Sequence, residues 1–448
     1  MNHKFLDNIP NKNGQFWLVN APDIKFSGVI IFQQQIKLFT DDSNFENLPK
    51  SGTLYGKLVD GKLITITEIK YIYPSQIGNT CGMMYIFQEV FLGDHVPLDY
   101  KIQKLYCFNN NLEQWLYSIA HEKVNDDRNI ENRQIITQVS EKIEIITKEY
   151  TITIDFRISP DSQQQKSYIL KIVPYISIES NTLIPPNELL DTLLHIEKLF
   201  TLFCFNHIIH FYEVEFFVPE TKRSIKYWNP KLYKFTQNEK ITGLPLIKRG
   251  HLIDHLNPDR EKINSIFSEW INLDSKELGY IINAIDVVTS VNSTHRSKLL
   301  EIIFMLELLA KSLYSINTSG SKNSKCTIQH DCSIDNYQCT EAKHILKCTL
   351  CQLVAQLPKE IIDQLNTTDL INYTKELRNA ISHGKVETIF AQFSDINKTE
   401  SILLFIKTLL IFLILQKIGV EHPFLINRFN ENKFIFKSIR KEMATNEH

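Results

Sequence analysis

The stretch ILLFIKTLLIFLILQKIG, residues 402–419, is apolar around nearly its whole circumference. A helix with such a surface must be enclosed on several sides, by a large bundle or by a second copy of the chain. Lys407 and Gln416 interrupt the run short of the ~20 apolar residues that cross a bilayer, so it is predicted to be a buried helix with no membrane partner.

The segments before it share its period. RSKLLEIIFMLELLAKSLY, LCQLVAQLPKEIIDQL and DLINYTKELRNAISH carry apolar residues at helical spacing between short polar connections, which predicts a bundle of four or five helices. Up to about residue 180 the period is instead two. TITIDFRI, residues 151–158, alternates Ile152, Ile154, Phe156 and Ile158 with Thr151, Thr153, Asp155 and Arg157, the pattern of a half-buried strand. VIIFQQQIKLF and SYILKIVPYISI read alike, and VDGK at 59–62 and SPDSQQQ at 159–165 are turn-like.

PPNELLDTLLHIEKLF interrupts the strands with one helix, its leucines at 189, 190, 193, 194 and 199 following a Pro-Pro start. Strand-like runs resume at HIIHFYEVEFFV, and from NPDREKINSIFSEWINL onward everything is helical. The predicted fold is α+β and multidomain: a mostly antiparallel β domain with an inserted helix over 1–275, and an all-α bundle over 276–448. The 448 residues can bury two cores. A formal net charge of −2 requires any nucleic acid to be held by a local patch. The opening MNHKFLDNIPNKNGQFW lacks an uninterrupted apolar core, so export is not expected and a cytoplasmic location is.

KELRNAISHG, residues 375–384, places Arg378, Asn379 and His383 at the end of a predicted helix with Gly384 as its stop. Asn379 and His383 are four apart and nearly share a face, while Arg378 lies about 140° from His383, a gap that arginine's long stem can cover. A histidine in a last helical turn favours its charged form and titrates near neutral pH. The set suits RNA cleavage by the substrate's own 2′-hydroxyl, which needs proton transfer and neutralisation of a crowded phosphorane but no metal. Histidine would move the proton, guanidinium would grip phosphate oxygens, and the amide would orient the imidazole or the backbone. Taken from spacing alone, a polar triplet before glycine is usually a solvated helix end.

The R-N-x3-H run, set in the third main helix and followed by a very apolar one, resembles the HEPN superfamily of ribonuclease and nucleotide-binding domains. The chain is similar in particular to the ApeA-like branch of anti-phage defence proteins. FMLELLAKSLY matches that family's first bundle helix, and GQFWLVNAPDIKFSGVIIF, YGKLVDGKLITITEI and LLDTLLHIEKLFTLF are similar to its β-rich N-terminal domain. The resemblance implies a homodimer or higher oligomer whose paired helices build one groove from Arg378, Asn379 and His383 of each copy. That groove would cut host or phage RNA, with tRNA a candidate substrate, in abortive infection, with no cofactor for catalysis and a phage protein as a candidate trigger. Glu307 falls at the family's acidic position and would orient or pair with the arginine; as an i to i+4 partner of Lys311 it would do neither. A non-catalytic RNA- or nucleotide-binding scaffold on the same fold is the alternative.

Five of the eight cysteines fall between Cys326 and Cys351, with His330 and His344 among them. Cys348-x2-Cys351 has zinc-knuckle spacing, and with Cys326 and Cys332 it makes a candidate structural zinc site. The same pair could equally occupy a buried helix face as small hydrophobes. Disulfides are not expected in a reducing compartment, and Cys81, Cys107 and Cys204 are expected in the core. Trp17, Trp115 and Trp228 would line a ligand pocket or pack the β core; no acid pair, nucleophile with base, or phosphate-cradling loop there supports separate chemistry.

Overall fold

The structure is a computed structural model and describes residues 12–32, 36–41, 52–77, 80–97, 99–108, 142–160, 170–204, 211, 213–218, 223–228, 260–289, 295–314, 345–382, 396–432 and 436–440. Two compact units are present: Met1–Leu194 with His210–Ile247, and His195–Ile209 with Lys248–His448.

The first unit is a large antiparallel β sheet. Its strands are β1 (Lys12–Leu18), β2 (Ala21–Phe32), β3 (Ile36–Thr40), β4 (Leu54–Leu58), β5 (Leu63–Ile77), β6 (Thr80–Leu92), β7 (Ile102–Phe108), β8 (Ile143–Ile146), β9 (Tyr150–Pro160), β10 (Leu170–Ile184), β11 (Glu213–Val218) and β12 (Arg223–Trp228). They pair in the order β3-β2-β1-β4-β5-β6-β12-β11-β7-β10-β9-β8, and β3 also pairs with β6, so the stretch from β3 to β6 closes into a barrel. Strand β6 serves both parts: Met83–Phe87 lie against β3 and Val90–Leu92 against β12. Beside that handover the buried Glu89 accepts hydrogen bonds from the Tyr227 hydroxyl at 2.6 Å and the Thr67 hydroxyl at 2.9 Å, partners that a buried carboxyl requires.

Phe16, Phe26, Ile30, Leu38, Leu58, Ile64 and Phe87 are all buried in this unit. A Cβ on Gly56 would meet the Phe16 ring at 2.6 Å and Ile64 at 2.8 Å, so only glycine lets that ring lie there. The predicted VDGK turn joins β4 to β5, with Gly61 at φ +83°. The alternation in β9 holds at Ile152 and Ile154, but Thr153 is buried too, opposite the buried Ser177 of β10.

Helix α1 (Pro186–Phe203) follows β10, and the boundary between the units falls within it. The second unit is mostly helical: α2 (Arg260–Ile271), α3 (Ser275–Thr289), α4 (His295–Leu313), α5 (Ile345–Val354), α6 (Lys359–Ile362), α7 (Thr367–Ser382), α8 (Ile396–Lys417), α9 (His422–Glu431) and a 3-10 turn, Lys437–Ile439. Where the sequence placed a border at 275/276, α2 groups with the helical unit. LCQLVAQLPKEIIDQL is not one helix: α5 ends at Val354, and Pro358 stands at the N-cap of α6, where its missing N–H removes no helical hydrogen bond.

The apolar run forms α8, which contacts α3, α4, α5, α7 and the 3-10 turn. By length and composition it could cross a membrane, yet 67% of that window is buried within the protein. From Leu409 to Leu415 no side chain is exposed. Of the cysteines expected in the core, Cys107 and Cys204 are buried but Cys81 is exposed. It sits near the end of the β5–β6 hairpin opposite Gln76, where an apolar neighbourhood in sequence does not guarantee cover in space.

Candidate functional site

Helix α7 carries the Arg-Asn pair, and its sequence explains where that pair ends up. Leu370, Ile371, Thr374, Leu377, Ala380 and Ile381 are buried, a stripe at helical spacing that packs on α5, α8 and α4. No Gly or Pro interrupts Thr367–Ser382, and Asp369 in the first turn complements the helix dipole. The start of α7 is tied down as well: Asn366 N–H donates to the Ile439 carbonyl at 3.1 Å. Arg440, one residue on, donates to Gln364 Oε1 at 2.7 Å and to the Phe429 carbonyl, with its guanidinium 4.2 Å from the Phe429 ring.

On this fixed helix Arg378 and Asn379 stand at the margin of the buried stripe, both half-buried. Arg378 Nη1 donates to Asn379 Oδ1 at 3.4 Å, a long bond that leaves most of the guanidinium's donors for other partners. Glu307 comes from α4, also half-buried. Burial pushes its carboxyl above the ordinary value, and the Arg378 charge pulls it back down. The charge acting on Glu307 is thus Arg378 from another helix; Lys311, its i+4 neighbour, is exposed.

The fold therefore brings Glu307, Arg378 and Asn379 together from two helices. His383 and Gly384 lie outside the described residues. Chemically the described part is a cation hydrogen-bonded to an amide, its charge acting on a carboxyl of a neighbouring helix, at a half-open surface, an arrangement suited to an anionic oxygen.

Cys326 and Cys332 also lie outside the described residues. Cys348 is disulfide-bonded, contrary to the expectation of reduced cysteines, and Cys351, one turn further along α5, is not in a disulfide. An oxidised sulfur is not a thiolate ligand, so as it stands Cys348 does not fit a zinc site. Among the described residues no group of three or more His, Cys, Asp or Glu is placed to hold a metal.

Trp228 is buried, whereas Trp17 is partly exposed with Lys25 Nζ 5.3 Å from its ring centre and His95 edge-on at 5.5 Å. Trp115 lies outside the described residues. Neither described tryptophan lines the open depression of about 700 Å³ on the β unit, which is bordered by Gln15, Ser27, Asp41, Lys57, Val59 and Ile77 among others. Its charged groups are of both signs, and it holds no nucleophile with a base.

Two features were missed in the sequence. Lys407, read only as an interruption of the apolar run, is pushed down to about 8 by burial and by the charge of Lys298 on α4. Phe304 was read only as part of an apolar helix, yet it is 63% exposed. The signal was mixed: Ser297, Glu301 and Lys311 on its side of α4 are exposed, while Leu300 and Leu308, four residues to either side, are partly exposed leucines.

A β-sheet unit followed by a helical unit that bears a cation, an amide and an acid defines a two-part protein with its polar cluster in the second part. The family model for ApeA N-terminal domain 1 matches residues 11–270. The chain belongs to the ApeA family, and that N-terminal domain associates it with anti-phage defence. Compared with curated proteins and with solved structures, it has no match in either.

Proposed function

We propose that this protein defends against phage as a HEPN-type endoribonuclease that cuts RNA without a catalytic metal, through attack by the 2′-hydroxyl. The observation that carries the reading is that α4 and α7 touch and the charge of Arg378 on α7 acts on Glu307 of α4, with Arg378 also donating to Asn379.

In this reading Arg378 holds the phosphate oxygens and stabilises the charge that gathers on them in the transition state. His383 transfers the proton, Asn379 orients the imidazole or the sugar-phosphate backbone, and Glu307 steadies the guanidinium. Two copies pair so that both sets line one groove in the cytoplasm, and the β unit senses the infection signal, a phage protein being the candidate. A structural zinc on Cys326, Cys332, Cys348 and Cys351 is proposed for the reduced chain only. Protein purified under reductant and found free of zinc removes it.

The test is incubation of purified protein with total cellular RNA, with and without chelator. The expected result is chelator-resistant cutting that leaves cyclic phosphate ends. Arg378→Ala and His383→Ala should fold normally and lose at least about 100-fold in rate, the scale of removing a proton-transfer or charge-stabilising group. Both variants cutting at the wild-type rate would overturn the assignment. RNA bound but never cut would point to the scaffold.

A further inference from the structure

We infer that the outer face of α4 is a contact between two copies of this chain, packed antiparallel about a two-fold axis at the level of Leu306. One side of α4 is core: Leu299, Ile302, Ile303, Leu306, Leu309 and Ala310 are buried, and the helix packs on α3, α5, α7 and α8. The side turned away from them is not the polar face of a solvated helix. Phe304 is 63% exposed there, and Leu300 and Leu308, four residues before and after it, are partly exposed. At this spacing the three side chains form one continuous apolar ridge, the element that packs into the groove of another helix. Among the described residues, Phe304 is the one large apolar side chain of the helical unit left exposed; the other such residues all belong to the β unit.

The charges beside the ridge select a second copy as the occupant. Glu301 and Lys311 are exposed, one five residues before Leu306 and the other five after it, and among the described residues neither makes an ion pair within the protomer. In an antiparallel pair centred on Leu306, positions equally far before and after that residue come to the same level. Phe304 is then level with the partner's Leu308 and Glu301 with the partner's Lys311, so that apolar faces apolar and acid faces base, once on each side of the axis. A parallel pair would instead set Glu301 level with the partner's Glu301 and Lys311 level with the partner's Lys311, which is repulsive. The face is thus complementary to itself in one orientation, the condition for a closed contact between identical chains. RNA suits it less well, because Glu301 and Glu307 repel phosphate. The contact offers a surface for the pairing that the ribonuclease reading requires, but it does not depend on RNA being cut.

The test is the mass of the full-length protein, measured by sedimentation over a series of concentrations. The wild type should self-associate, and Phe304→Asp should weaken that association by about 30-fold or more, the loss at a central residue of an interface. Because Phe304 is largely exposed in the protomer, the variant should keep the circular dichroism of the wild type. Glu301→Lys and Lys311→Glu should each weaken association by about 10-fold, since each places like charges on both sides of the axis. Mixed one to one, these two variants should pair with each other as tightly as the wild type does with itself, because every contact in the mixed pair again joins opposite charges. A monomeric wild type overturns the inference, and so does an unchanged association in Phe304→Asp. If Phe304→Asp loses its fold, the mixture decides: pairing restored upholds the contact, and two charge variants that stay as weak together as apart end it. None of these readings uses RNA, so a wild type that assembles as expected yet cuts no RNA counts against the ribonuclease reading alone.

Discussion

Glu307 is under two opposed influences, burial that favours its neutral form and a guanidinium that favours its anion. Burial is the larger, so the carboxyl titrates above its ordinary value of 4.5. A carboxyl raised in the folded state holds its proton more readily there than in the unfolded chain, so its ionisation costs stability as pH rises through the folded value. Glu307→Gln is accordingly expected to leave stability at neutral pH unchanged or slightly improved while lowering RNA cleavage, because the amide cannot counter the arginine's charge. Arg378→Ala should push the Glu307 titration higher still, followed by carboxyl carbon resonances in specifically labelled protein. A titration that ignores the substitution would mean the two groups do not interact. At this scale the sequence was informative wherever residue type carried the chemistry: arginine beside asparagine, and an acid at a helical position. It was uninformative where exposure decided, since Cys81 and Phe304 sit in apolar runs yet face solvent.

Among the elements, α8 contains its own liability. Lys407 is pushed from 10.5 down to about 8 by burial first and then by Lys298, which α4 presents and whose own charge Glu301 supports. Between about pH 8 and 10.5 the unfolded chain binds a proton at this position that the folded chain does not, so stability rises with pH across that window. Below it the buried charge costs the fold its full penalty, on the order of 3 kcal/mol. Lys407→Met should therefore raise the melting temperature at pH 7, and the advantage should shrink by pH 10. Thermal unfolding of both proteins at the two pH values decides it, and an advantage that stays constant with pH would show that the lysine is not titrating there. The helices were legible because their period is local. Closure of the barrel was not, because the pairing of β3 with β6 joins Ile36 to Phe87 across a long loop of chain, and nothing in either strand's own pattern names its partner.

For the whole molecule, α8 poses the remaining question of how many copies work together. It is mostly enclosed by helices of its own chain, so burial of the apolar run does not by itself demand a dimer; the composite groove of the proposed ribonuclease would. If each active groove needs Arg378 and His383 from both copies, a protomer lacking them should poison the copy with which it pairs. Wild-type protein mixed with an equal amount of the Arg378→Ala, His383→Ala double variant, after subunit exchange, would retain roughly a quarter of its pairs as fully wild type under random pairing. RNA cleavage should then fall to about half the activity of the same amount of wild-type protein alone, because about half of the wild-type protomers end up in mixed pairs. Independent sites would leave it unchanged, and so would a monomer. Measuring mass by light scattering on the same samples separates those two outcomes, since independent sites in a dimer and activity in a monomer predict the same rate at different molecular weights.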